Sequence, residues 1–139
     1  MPNVIVDTNV LVRALLRPGG SDWRVFDLAM DGKIALWYSH GLLTELARVF
    51  TYTRLRKYDI TRETAATFIE MIVASGNVIV PQSTILCRDP DDNEILGIAL
   101  AVAGSEPVYL VSADKDLLAL RGSIERVTIL TPQDFLKLP

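Results

Sequence analysis

The stretch Val4-Ile5-Val6-Asp7-Thr8-Asn9-Val10-Leu11-Val12-Arg13-Ala14-Leu15-Leu16 decides the fold class. Val4, Ile5 and Val6 are β-branched, apolar and consecutive, the pattern of a strand buried on both faces. Asp7-Thr8-Asn9 interrupts the run, and the apolar residues that resume at Val10 open a helix. Pro18-Gly19-Gly20 breaks that helix.

The alternation continues to the far end of the chain. Ser21-Asp22 caps a helix running to about Met30, and Gly32 closes it. Ile34 to Tyr38 reads as a second strand. Ser39 caps a helix with Leu42, Leu43, Leu46, Val49 and Phe50 on one face, a spacing with the 3.6-residue period. A further helical piece is expected over Thr51 to Tyr58, and Thr61 and Glu63 open another that Gly76 ends. Val78-Ile79-Val80 is a third strand, closed by Pro81. Asp89-Pro90 is an N-cap followed by a first-turn proline, and the helix to Ala103 is apolar on nearly every side, so it should be central. Val108 to Val111 and Val127 to Leu130 are two more strands, each followed by a short helix. Strands alternating with helices imply α/β architecture, a parallel sheet with helices on both faces. The helices between the second and third strands exceed what one crossover needs, and a protruding arm is expected there.

The bulk numbers fit one domain over residues 1–139. Half the residues are apolar, enough for one core, and charged residues make up 22%, which excludes wholesale disorder. The net charge of −3 argues against purely electrostatic binding of nucleic acid. Cys87 is the only cysteine and His40 the only histidine, so neither a disulfide nor a clustered zinc site is expected. With no signal peptide apparent and no apolar run long enough to span a bilayer, a reducing cytoplasm is the expected location.

Four acids stand out by position. Asp7 follows the first strand, and Asp114 follows the fourth after Ser112-Ala113. Asp92 lies in the first turn of the central helix, and Glu45 lies beside the apolar stripe of the helix after the second strand. Ligands in open α/β sheets bind outside the carboxyl ends of the strands. Carboxylates gathered there repel one another and must protonate or bind a cation. Hard oxygen ligands suit Mg²⁺ or Mn²⁺, one ion or two, and such ions serve phosphodiester hydrolysis. A single histidine gives no Ser-His-Asp or Cys-His arrangement, and no phosphate-binding GxxxxGK[ST] loop is present.

Each acid also has a plainer reading. Asp7, Asp92 and Asp114 could be caps or first-turn acids, worth ~0.5–2 kcal/mol each. Glu45 could simply pair with Arg48. Arg54, Arg56 and Lys57 form a basic cluster that reads either as a solvated face or as a contact for RNA phosphates. Arg13, Arg17 and Lys115 carry the same two readings. Trp23 and Trp37 read as packing residues, His40 as structural and Cys87 as an incidental thiol.

The segments VIVDTNVLVRALL, LLTELARVF with Glu45, DPDDNEILGIALAVAG and YLVSADKDLLAL together resemble the PIN domain, in order and over the whole chain. The closing ILTPQDFLKLP resembles a bacterial and archaeal subgroup described as toxin components of toxin–antitoxin pairs, related to VapC-type ribonucleases. The resemblance implies a three-layer α/β/α fold with about five parallel strands. It also implies divalent-metal-dependent RNA cleavage leaving a 5′-phosphate and a 3′-hydroxyl, an antitoxin protein partner, and homodimers or larger homo-oligomers. By the same resemblance Asp7, Glu45, Asp92 and Asp114 match the acidic quartet, and Asp116 a fifth acidic position. Thr8, Asn9 and Ser112 match polar positions that support the acids, with Asn9 expected to tie down its loop. Asp89 and Asp91 compete with Asp92, whose distance to Ile98-Ala99 fits the family pattern best. Two other readings stay open: a PIN-like module that binds nucleic acid or protein without cleaving it, and a different Mg²⁺-dependent phosphotransfer enzyme.

Overall fold

A computed structural model describes residues 1–52 and 57–139. Five parallel strands form one sheet: β1 (Asn3–Val6), β2 (Ala35–Tyr38), β3 (Asn77–Val78), β4 (Val108–Val111) and β5 (Val127–Leu130), in the order β3-β2-β1-β4-β5. The helices are α1 (Thr8–Leu16), α2 (Ser21–Met30), α3 (His40–Val49), α4 (Arg62–Ser75), α5 (Pro90–Ala103), α6 (Lys115–Leu118) and α7 (Pro132–Leu136). The chain winds outward from β1 to β3, then returns across the sheet to β4. With this strand order, the right-handed rule for parallel crossovers assigns α1 and α2 to one face and α5 to the other. The reversal makes the gap between β1 and β4 the topological switch point, where such sheets bind ligands.

The core follows the sequence pattern. Val4, Ile5 and Val6 are sealed from solvent on both faces. From α5, Ile95, Leu96, Ile98, Ala99 and Val102 are buried, and the helix lies against β1 and β4. Gly97 lets the segment after β3 cross this helix: a Cβ there would collide with the Gln82 carbonyl, which lies beside a Gln82 N–H to Gly97 carbonyl bond of 2.9 Å. Trp23 packs near Phe26, and the Trp37 indole donates to Asn3 at 3.0 Å, both structural roles.

Two expectations need correction. The α3–α4 crossover is not a free arm: Phe68 and Ile72 of α4 are buried, and Phe68 stacks on Phe26 at 4.6 Å and meets Phe50 edge-on at 6.0 Å. Apolar residues on the inner face of α4 draw it down onto α2 and α3. β3 is shorter than Val78–Val80 because it is an edge: Val78 and Val80 are exposed, and pairing ends after the Ile79 N–H bonds the Tyr38 carbonyl at 2.9 Å. The expected helical piece over Thr51–Tyr58 lies partly outside the described residues, as do Arg54 and Arg56.

Candidate metal centre

The β1–β4 register builds the first part of the site. Val6 pairs with Val111, and the Asp7 N–H continues the ladder to the Val111 carbonyl at 2.9 Å. Asp7 and Ser112 are therefore neighbours just past the strand ends. The Ser112 hydroxyl donates to Asp7 Oδ2 at 2.7 Å and accepts the Asp114 N–H at 2.9 Å. Ser112 is fully buried and Asp7 is 5% exposed. Asp7 occupies the N-cap position of α1 yet makes no side-chain cap bond. Burial pushes its carboxyl pKa up, the Ser112 bond opposes this, Asp114 adds repulsion, and the Thr8 and Asn9 N–H groups oppose the rise. The Ser112 hydroxyl, rather than a formed cap bond, is its hydrogen-bond partner.

Asp114 is different. Its Oδ1 caps α6, accepting the N–H groups of Asp116 at 2.8 Å and Leu117 at 3.1 Å. Carboxylate oxygens of Asp92, Asp114 and Asp116 all lie within 4.8 Å of one another. Asp92 is 8% exposed and makes no side-chain hydrogen bond among the described residues. Its pKa is pushed up to about 7, by burial first and then by Asp114, Asp7, Asp89 and Asp116. The neighbouring acids are placed otherwise: Asp89 caps α5 through the Asp91 N–H at 2.9 Å, and Asp91 faces Arg48 at 3.4 Å.

Glu45 joins the group by electrostatics rather than contact. Its pKa is pushed up to about 7 by burial, then by Asp91 and Asp7, with Arg48 opposing. The simple pairing with Arg48 is not formed, because the guanidinium turns to Asp91. Helix α3, which carries Glu45, is tied to α5 at its start. The Ser39 hydroxyl caps Leu42 N–H at 3.1 Å and donates to Glu94. Glu94 thus links the helices bearing Glu45 and Asp92, a role that the sequence reading missed.

A cleft of about 470 Å³ lies beside the triad, lined by Asn9, Arg13, Ala113, Asp114, Lys115 and Asp116. Asn9 is exposed on this lining and makes no side-chain hydrogen bond among the described residues, so it does not tie down its loop. Arg13 lines the cleft while paired with Asp22 at 3.3 Å. Lys115 lines it too; Lys57 is not among the lining residues and sits over the Tyr58 ring at 5.2 Å. The Thr8 hydroxyl is buried without a partner among the described residues. His40 is exposed at the start of α3, and the Cys87 thiol is buried.

The donor set can be tested against a cation directly. Three hard oxygen ligands converge, no nitrogen or sulfur ligand joins them among the described residues, and Asp92 is driven toward protonation by its neighbours. An all-oxygen donor set of this kind fits a hard divalent cation.

Comparison with known proteins agrees with this architecture. The family model of the PIN domain matches residues 3–116. An uncharacterized protein of Methanocaldococcus jannaschii is 29% identical over 143 aligned residues, covering 96% of this chain and 89% of the relative. Among solved structures, VapBC2 from Rickettsia felis, bound to a DNA fragment from its promoter, aligns with a TM-score of 0.59 at 14% identity over 91% of this chain and 96% of that one. The PIN domain of T. brucei RRP44 aligns with a TM-score of 0.53 at 15% identity, over 97% of this chain and 79% of that one. At these identities the two structures speak for the fold. No described helix is long and apolar enough to cross a membrane.

Proposed function

Since this chain belongs to the PIN domain family, we propose that residues 1–139 act as one nuclease domain that hydrolyses RNA phosphodiesters with Mg²⁺ or Mn²⁺. The observation that carries the reading is the convergence of Asp92, Asp114 and Asp116 beside the buried Asp7, at the point where the strand order reverses. Buried acids with no capping task cost stability unless something offsets their charge, and a divalent cation does so.

In this reading Asp92, Asp114 and Asp116 hold the cation, with Asp7 and Glu45 completing the negative field. Bound there, a divalent ion polarises a phosphoryl oxygen and lowers the pKa of a water. Ser112 fixes Asp7 and the Asp114 backbone with one hydroxyl, which keeps the two strand ends in register. Lys115 and Arg13 face the open cleft, where a phosphate backbone would lie. The fold shared with VapBC2 and the closing ILTPQDFLKLP support a toxin role in the cytoplasm with a small antitoxin as partner, and the family resemblance supports a homodimer.

Incubating the purified protein with single-stranded RNA tests the reading. Cleavage should need Mn²⁺ or Mg²⁺, stop with EDTA, and vanish in a folded Asp92→Asn variant. Undiminished cleavage in EDTA or in that variant would sink the proposal. Hydrolysis of a small phosphoester but not RNA would favour a different phosphotransfer enzyme. Growth arrest on expression, relieved by the product of a neighbouring gene, tests the toxin role.

A further inference from the structure

Arg88 has no task in that reading, yet it touches the acid cluster. Its Nη2 lies 3.2 Å from both carboxylate oxygens of Asp116, and Asp116 shares the cluster with Asp92 and Asp114. The side chain is 89% exposed, but its backbone is anchored on both sides. The Asn93 amide accepts the Cys87 N–H and donates to the Cys87 carbonyl, each at 2.9 Å. Asp89, the next residue, caps α5. Arg88 is therefore a long arm on a fixed mount, at the lip of the cleft that Asp114, Lys115 and Asp116 line.

The chemistry of the arm fits two partners. A guanidinium binds carboxylate and phosphate oxygens with the same planar fork, so the two compete for it. Only Nη2 is engaged here; Nε and Nη1 make no hydrogen bond among the described residues. A divalent cation outbids a singly charged, solvent-exposed guanidinium for Asp116. The charges also balance, since the freed guanidinium carries +1 and a phosphodiester −1.

Resting on the metal-nuclease reading above, we infer that Arg88 is a tethered counter-ion that changes partners. It holds Asp116 in the metal-free protein, yields that carboxylate when a divalent cation enters, and then grips the phosphate of the RNA substrate. The exchange moves ion pairs only; no covalent bond forms or breaks. Arg88 thereby couples metal loading to substrate binding.

Two measurements test it without relying on turnover. In Mn²⁺ titrations by calorimetry without RNA, Arg88→Ala should bind the ion about threefold tighter than wild type, the scale of an exposed ion pair. Arg88→Lys should stay near wild type. In an Asp7→Asn background that prevents cleavage, fluorescence anisotropy with a short single-stranded oligoribonucleotide gives the second readout. There Arg88→Ala should weaken RNA binding about tenfold in Mn²⁺, as loss of a charge-assisted bond does, and leave it unchanged in EDTA. Unchanged or weaker Mn²⁺ binding in Arg88→Ala would overturn the inference, and so would an equal loss of RNA affinity with and without Mn²⁺. If wild type binds no Mn²⁺ at all, the metal-nuclease reading itself falls and takes this one with it.

Discussion

The β1–α1 and β4–α6 junctions are the same device used in two ways. Each runs from a central strand through an aspartate at the N-cap position into a helix. Asp114 does what such a residue does, accepting two backbone N–H groups of its helix. Asp7 forms no such cap bond and takes the Ser112 hydroxyl instead, the Thr8 and Asn9 N–H groups only opposing the rise in its pKa, and it is more deeply buried. The ends of β2 and β5 follow the Asp114 pattern, with Ser39 and Thr131 capping α3 and α7. Asp7 is the exception among these junctions. Under the proposed metal-nuclease reading, a cation offsets the charge of this buried carboxylate.

The largest expected effect follows from that contrast. Asp7→Asn should cut RNA cleavage by at least about a hundredfold, the scale of one lost electrostatic group at a reacting centre. It should leave thermal stability unchanged or raised, because a buried charge is gone. A stability loss with full activity would reduce Asp7 to a structural residue.

Next comes pH. Asp92 and Glu45, pushed up from the ordinary carboxylate range to about 7, keep protons in the folded chain that the unfolded chain releases. Across that window the folded state binds more protons. Metal-free stability therefore falls as pH rises, and the full cost is present above about pH 7. A cation needs the deprotonated acids, so its stabilisation should grow over the same window. Melting curves in EDTA and in Mn²⁺ between about pH 5 and about pH 8 check this; a Mn²⁺-induced rise in Tm that stays flat across the range would disconnect the acids from the ion.

Ser112→Ala strikes the link between the two junctions. It removes the donor to Asp7 and the acceptor for the Asp114 N–H. A loss of ~1–3 kcal/mol in denaturant unfolding is expected, with activity down about tenfold. A neutral result would mean that the junctions are held independently.

The smallest effect separates capping from charge at Asp114. Asparagine caps as well as aspartate and alanine does not, so Asp114→Ala should be ~1 kcal/mol less stable than Asp114→Asn. Both should be equally inactive. Equal stability would show that the cap contributes nothing.

Much of this was legible in sequence. Helix starts at Ser39, Asp89 and Thr131 are local signals, because a cap and its first turn lie within a few residues; α2 also starts where expected, but its N-cap is Gly20 and Ser21 makes no cap bond. The strands read well where they are buried on both faces and less well at β3, whose length depends on a single neighbouring strand. The acids following strand ends were visible for the same reason. Arg88 and Glu94 were not, since their partners Asp116 and Ser39 lie far along the chain. Of Asp89, Asp91 and Asp92, sequence reading favours Asp92 only through the family pattern; helix phase turns Asp92 inward while Asp89 caps and Asp91 faces Arg48.

Hydrophobic period and turn chemistry, which act over a few residues, by themselves determined the parallel α/β class and the order of its elements. They also put an acid at each of the two central strand ends. Only the tertiary structure decided which carboxylates share a volume. Pairing β1 with β4 is a long-range event that sets Asp7 beside Ser112, and α5 packed against both strands brings an Asp92 carboxylate oxygen within 4.8 Å of those of Asp114 and Asp116.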